Sequence, residues 1–163
     1  DPASAVGSTK TIVWGFRTAD LMNRLLQTMP YNQDLIVLEM GINDYVFGMA
    51  GWQREYKAMM TMLGHASPHA TFLCVSLWQP LGHNKFGETI DQFNALVQQM
   101  CVLPGHRTVF AYITDMYPNP AFHGPVGIIS RFGDPTDYFH PNDAGHQAIA
   151  LRLFAALYPG VTP

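Results

Sequence analysis

Three features of this sequence predict an α/β domain: a parallel sheet between two layers of helices. Short β-branched or apolar runs alternate with amphipathic helical stretches along most of the chain. The run at 35–40 is apolar almost throughout, as expected of a strand covered on both faces. The glycines, amides and polar turns cluster just after the apolar runs, on the side where such sheets form their ligand crevice. At 163 residues the chain is long enough for one well-buried core, and no linker or repeat divides it, so residues 1–163 are expected to form a single domain.

The elements follow in order. Thr11-Ile12-Val13-Trp14 is a short β-branched run closed by Gly15. Residues 18–29 place Leu21, Met22, Leu25, Leu26 and Met29 on one helical face, with Thr18 as N-cap and Pro30 as the stop. After the strand at 35–40, a second helix carries Trp52, Tyr56, Met59, Met60 and Leu63 in register and should end at Gly64. Residues 71–78 read as a strand ending at Pro80, followed by a helix bearing Ile90, Phe93, Leu96, Val97 and Met100. A fourth strand spans 108–113. A loop rich in proline, glycine and aromatics occupies about 115–141, too long for a plain connection. The last helix begins near Asn142 and should bury Ile149, Leu153, Phe154 and Leu157.

Composition narrows the function. Hydrophobic residues make up 48% and charged residues 13%, about half the share usual in a soluble domain. Net charge is −3 and the basic residues are scattered, so the stripe that nucleic-acid binding needs is missing. No apolar run reaches the roughly 18 residues of a membrane span. The start, Asp1-Pro2-Ala3-Ser4-Ala5, lacks the basic and apolar parts of a signal peptide. It reads as a mature end left by processing, or as a later start within a longer protein. Cys74 and Cys101 are either two buried thiols or one disulfide of an exported protein. Low charge and the cysteine pair lead to an expected secreted or periplasmic location, with the cytoplasm as the alternative. Seven histidines occur without metal-type spacing, and no cofactor is expected.

Two stretches carry chemistry. Asp137-Tyr138-Phe139-His140-Pro141 sets a carboxylate three residues before a histidine, at the start of the last helix. A histidine can take a hydroxyl proton and return it to a leaving group, and a neighbouring carboxylate fixes its tautomer. Gly41-Ile42-Asn43-Asp44 ends a strand and can aim the Asn43 amide into the crevice as an oxyanion donor, a role that typically supplies about 3 kcal/mol. The backbone N–H at Gly15 can supply a second donor. Each has an ordinary alternative: helix capping, a strand-end turn and a helix-entry glycine.

Taken together and in this order, these residues resemble the SGNH hydrolases, also called the GDSL esterase and lipase family. Gly41-Ile42-Asn43-Asp44 is similar to the family's third block, Gly-x-Asn-Asp. Asp137-Tyr138-Phe139-His140-Pro141 is similar to the fifth, Asp-x-x-His followed by proline. Gly15 looks like the glycine of the second block. The resemblance covers nearly the whole chain. It implies a three-layer α/β/α sandwich with a flavodoxin-like parallel sheet, and ester hydrolysis through an acyl-enzyme. It further implies His140 as base, Asp137 as its orienting partner, and Gly15 and Asn43 as the oxyanion hole.

The family's first block, Gly-Asp-Ser, has no counterpart here. Ser4, Ser8, Ser67, Ser76 and Ser130 are the remaining serines, and none sits in a strand-to-helix turn like that of the family nucleophile. If residues 11–14 are the family's second strand, a strand and helix on the order of 30 residues are missing upstream. A separate N-terminal piece of the same protein, bearing the serine, is then the expected partner, along with a small-molecule, carbohydrate or lipid ester as substrate. Alternatively residues 11–14 are the first strand, Arg17 stands in the serine position, and the chain is an inactive binding or assembly module. A metal-dependent phosphoesterase using the histidines and Asp44 is a third reading. Tyr45, Phe47, Trp78, Phe86, Phe122 and Phe139 suit an acyl chain or a sugar ring, or else simply pack the loops.

Overall fold

The computed structural model describes residues 17–25, 31–78, 82–122 and 140–162. Three strands, β1 (Leu35–Leu38), β2 (Thr71–Val75) and β3 (Thr108–Ala111), form a parallel sheet in the order β1-β2-β3. Leu35 pairs with Thr71 and Leu38 with Cys74 across one ladder, and Phe72 pairs with Thr108 and Val75 with Ala111 across the other. The helices are α1 (Thr18–Leu25), α2 (Met49–Ala66), α3 (Ile90–Met100) and α4 (Asp143–Leu157). Single 3₁₀ turns follow at Tyr45–Phe47, Thr114–Met116 and Pro120–Phe122. The strand expected at 11–14 lies outside the described residues.

Alternation along the strands sorts the core into two halves. Ile36, Leu38, Phe72 and Cys74 point to one face and pack with Leu25, Trp52, Tyr56, Met59, Met60, Leu63, Phe93, Val97 and Met100 from α1, α2 and α3. Leu73, Val75 and Ala111 point to the other and pack with Ile149 and Leu157 of α4. The result is the expected sandwich, with α1, α2 and α3 on one face and α4 on the other.

Several boundaries differ from those read in the sequence. Helix α2 passes through Gly64 and ends at Ser67, whose backbone N–H bonds the Leu63 carbonyl. Gly64 serves packing: a Cβ there would lie 2.6 Å from Leu103 Cδ2 and 3.1 Å from the His106 ring. Strand β1 is shorter than expected and not covered on both faces. Leu35 and Val37 are 44% and 46% exposed, on the face where α4 packs chiefly over β3. Strand β2 stops at Val75: the Ser76 N–H still bonds the Ala111 carbonyl at 2.9 Å, but the Leu77 N–H turns to the Asn94 side-chain oxygen. Leu153 and Phe154 of α4 are only half-buried. Thr18 is not an N-cap: it lies inside α1, and its N–H is taken by a carboxylate from elsewhere in the chain.

Cys74 and Cys101 are joined in a disulfide between β2 and the end of α3, which selects one of the two alternatives open in the sequence. Its loop spans 27 residues. Cross-links of such size stabilise by about 3 kcal/mol, chiefly by restricting the unfolded chain. Replacing both cysteines with serine should lower unfolding stability in urea by about that amount.

Tyr56 is fully buried against Trp52, which pushes its phenol pKa up through desolvation, and its hydroxyl has no hydrogen-bond partner among the described residues. Burying an unpaired hydroxyl costs about 1–3 kcal/mol. Tyr56→Phe should therefore keep or raise stability in the same urea titration, whereas Tyr56→Ala should lower it by about 3 kcal/mol.

Candidate active site

The buried polar residues are concentrated at the carboxyl ends of the strands. Thr18, Asp44, Ser76, Asn94, Thr114 and Asn142 all lie there, and Ser67 sits on the opposite side. They form three knots that shape one rim.

The first knot holds the turn after β1. The N–H groups of Asp44 and Tyr45 both bond the Gly41 carbonyl, at 3.0 and 2.9 Å. Gly41 has φ +124°, and a Cβ there would press on Trp52 at 3.0 Å, so both conformation and space demand glycine. Asp44 is 4% exposed, while Asn43 beside it is exposed. The Asp44 carboxylate accepts the Thr18 N–H at 3.2 Å on each oxygen and the Thr18 hydroxyl at 3.0 Å. The Trp52 indole N–H in turn donates to the Thr18 hydroxyl at 3.1 Å. A carboxylate 26 positions away in sequence thus caps α1, where it also meets the positive end of the helix dipole. Burial pushes the Asp44 pKa up, the Thr18 hydrogen bonds pull it down, Glu55 raises it and Arg17 lowers it.

The second knot joins β2 to β3. Ser76 is fully buried, and its hydroxyl accepts the N–H of Ile113 at 2.8 Å and of Thr114 at 3.3 Å. It also shares a 3.1 Å bond with the Thr114 hydroxyl, which donates to the Leu77 carbonyl and accepts from the Asn94 amide at 2.8 Å. The Asn94 oxygen takes the Leu77 N–H at 2.9 Å. Ser76 is a structural residue here. Ser67 is structural too: it lies on the far side of the sheet and accepts the Gln33 N–H at 3.0 Å.

The third knot lies at the start of α4, two residues after His140. Asn142 caps α4 by accepting the Gly145 N–H at 2.9 Å, while its own N–H and side-chain amide bond the carbonyls of Phe122 and Ala121. Gly145 must be small, because a Cβ would sit 2.2 Å from the Phe122 carbonyl oxygen. His140, two residues before this cap, is exposed on the rim. Asn43 and His140 therefore follow β1 and β3 on the same side of the sheet, flanking the end of β2. Gly15, Asp137, Ser4, Ser8 and Ser130 lie outside the described residues.

The aromatic residues expected in the crevice separate into two groups. Tyr45 and Trp78 are buried and pack on Phe93 and Tyr117. Phe122 is half-buried, Phe47 and Phe86 are exposed, and Phe139 is outside the described residues. Among the described residues no three His, Cys, Asp or Glu side chains come together as metal ligands. Sequence reading expects the Asn142/Asp143 cap before the last helix, and Asn142 is that cap, but it misses Asp44 as the cap of α1. The run Asn142-Asp143 before an apolar helix was a visible cap signal, but the Asp44 contact leaves no local trace.

The profile of the GDSL-like lipase/acylhydrolase family matches residues 4–148. This chain belongs to the GDSL-like lipase/acylhydrolase family. A solved crystal structure of the same fold aligns over 85% of this chain and 70% of its own, with a TM-score of 0.60 and 16% sequence identity. No curated protein matches the chain. The GDSL-like family is one of ester hydrolases, and the segments Gly41-Ile42-Asn43-Asp44 and His140-Pro141 lie at the strand ends, where parallel sheets place their ligands.

The Asp44 knot is open to a direct test. Asp44→Ala should cost about 2 kcal/mol and loosen α1, while Asp44→Asn, which keeps an acceptor for Thr18, should cost less. Because the folded state raises this carboxyl pKa, it binds the proton more tightly than the unfolded chain does. The stability of the unaltered protein relative to Asp44→Asn should therefore increase as pH falls from roughly 7 to 4, in paired urea titrations.

Proposed function

We propose that this chain is the larger part of a serine ester hydrolase that works through an acyl-enzyme. His140 is the general base, Asp137 orients it, and Asn43 and the Gly15 N–H form the oxyanion hole. The observation that carries this reading is the shared rim: buried anchors hold Asn43 and His140 on the same side of the sheet, in a chain of an acylhydrolase family.

In the reaction, His140 takes the proton of a serine hydroxyl as its oxygen attacks the ester carbonyl. Charge collects on the carbonyl oxygen, where the Asn43 amide and the Gly15 N–H stabilise it. His140 then passes the proton to the departing alcohol. Water, activated by the same imidazole, releases the acid and restores the serine.

The serine comes from outside residues 1–163, on an N-terminal strand and helix of the same protein that completes the domain. Two features support this. Ser67 and Ser76 are committed to structural bonds. The face of β1 beside α4 is bare at Leu35 and Val37, and β1 is the sheet edge among the described residues. A right-handed unit inserted there would pair the edge and cover that face. Proteolytic processing would account for two separate pieces. The disulfide supports a secreted or periplasmic setting. No described helix is long and apolar enough to cross a membrane. The substrate is a small-molecule, carbohydrate or lipid ester.

Hydrolysis of p-nitrophenyl acetate by the full-length protein tests these roles. His140→Ala should abolish turnover, and Asn43→Ala should lower kcat by roughly 100- to 1,000-fold with little change in KM. Unchanged kcat in both variants would refute the assignment.

A further inference from the structure

Glu39, the residue after β1, is a carboxyl that neither the three knots nor the proposed reaction uses. Leu38 and Met40 on either side of it pack with α1, α2 and α3, so the Glu39 side chain projects to the opposite face of the sheet. It shares that face with Leu35 and Val37, one step beyond the Leu38–Cys74 pair at the carboxyl end of the strand. Asn43 follows four residues later at the same end of the sheet.

Solvent reaches this side chain, yet the protein packed around it desolvates the carboxyl and raises its pKa. Among the described residues no hydrogen bond or charge offsets that rise. Two other carboxyls at this end of the sheet are supplied with donors. Asp44 accepts the Thr18 N–H and hydroxyl, and Glu88 accepts the Met49 N–H and the Asn84 amide. Glu39 stands instead beside the free edge of β1. A strand added at that edge lies about 4.8 Å away, within reach of a glutamate side chain. The crossover from β1 to β2 carries α2 on the other face. A right-handed connection leading away from β2 therefore carries its helix on the face where Glu39 points. The first N–H groups of such a helix have no partners inside it, so they suit a waiting carboxylate. The chain uses this device once already: Asp44 reaches across 26 positions to the Thr18 N–H of α1.

We propose that Glu39 is a positioning residue: its carboxylate accepts backbone N–H groups of the strand-to-helix turn that bears the serine, and fixes that turn at the rim beside Asn43. The role rests on the reading that the serine arrives on an N-terminal strand beside β1, and it gives that strand a specific anchor. Glu39 takes no part in proton transfer. It acts through the place it gives the serine oxygen.

The rate of fluorophosphonate labelling of the full-length protein, read beside p-nitrophenyl acetate kinetics, tests the anchor. Glu39→Ala should slow labelling and lower kcat by about 100-fold with KM little changed, because a displaced nucleophile loses its alignment. Glu39→Leu, which suits the apolar face shared with Leu35 and Val37, should fold and show the same loss. Glu39→Gln keeps an acceptor oxygen in place and should recover to within about tenfold of the unaltered rate. Asp34→Asn, at an exposed acid on the amino side of the same strand, should label as the unaltered protein does. Circular dichroism of each variant checks its fold. Full labelling of Glu39→Ala and Glu39→Leu overturns the anchor and leaves the hydrolase reading standing. A loss in Glu39→Gln equal to that in Glu39→Leu overturns it too, since the acceptor oxygen would then not matter. No adduct on the unaltered protein overturns the hydrolase reading, and the anchor with it.

Discussion

Much of the geometry at this rim depends on one buried carboxylate. Asp44 follows Asn43 in the turn after β1, and among the described residues no cation forms an ion pair with it. Burial raises its pKa, and the Thr18 N–H, the Thr18 hydroxyl, the positive end of α1 and the Arg17 charge offset that only in part. Trp52 holds the hydroxyl and also fills the space over Gly41. One acid therefore ties the start of α1, the turn after β1 and the first turns of α2 into a single unit. A buried charge without partners is costly, so these groups cannot separate freely.

The other two knots extend the same logic. Asn142 fixes the approach to α4, and Ser76 with Thr114 and Asn94 fixes the ends of β2 and β3 between them. Polar groups inside a core are tolerated when paired, and here they are spent at the end of the sheet where ligands bind. The opposite end is simpler: among the described residues Ser67 is the buried polar side chain there, bonded to the backbone of Gln33. The rim is thus rigid beneath while Asn43, His140, Phe47 and Phe86 stand exposed above it.

Much of the fold was legible because it rests on periodicity. Trp52, Tyr56, Met59, Met60 and Leu63 recur at helical spacing and are all buried, as are Ile90, Phe93, Val97 and Met100. What periodicity cannot show is what lies across space. Leu35 and Val37 look like core in an apolar run, yet they are exposed on the face where α4 packs chiefly over β3. Gly64 looked like a helix end, yet the close approach of Leu103 and His106 explains it. Thr18 had the chemistry of a cap, but Asp44 reaches its N–H from another turn. The disulfide could not be chosen over free thiols until β2 and α3 were seen side by side. Of the site residues named from motifs, Asn43 and His140 lie on the side of the sheet where the strands end, while Gly15 and Asp137 fall outside the described residues.

The central claim is that an ester is cleaved by a serine supplied from beyond these residues and activated by His140. Fluorophosphonate labelling of the full-length, unprocessed protein, with the adduct located by peptide mass spectrometry, tests it most directly. The expected result is a single adduct on a serine preceding Asp1, lost in His140→Ala. An adduct on Ser130 or another serine of this chain, or no adduct at all, would contradict it.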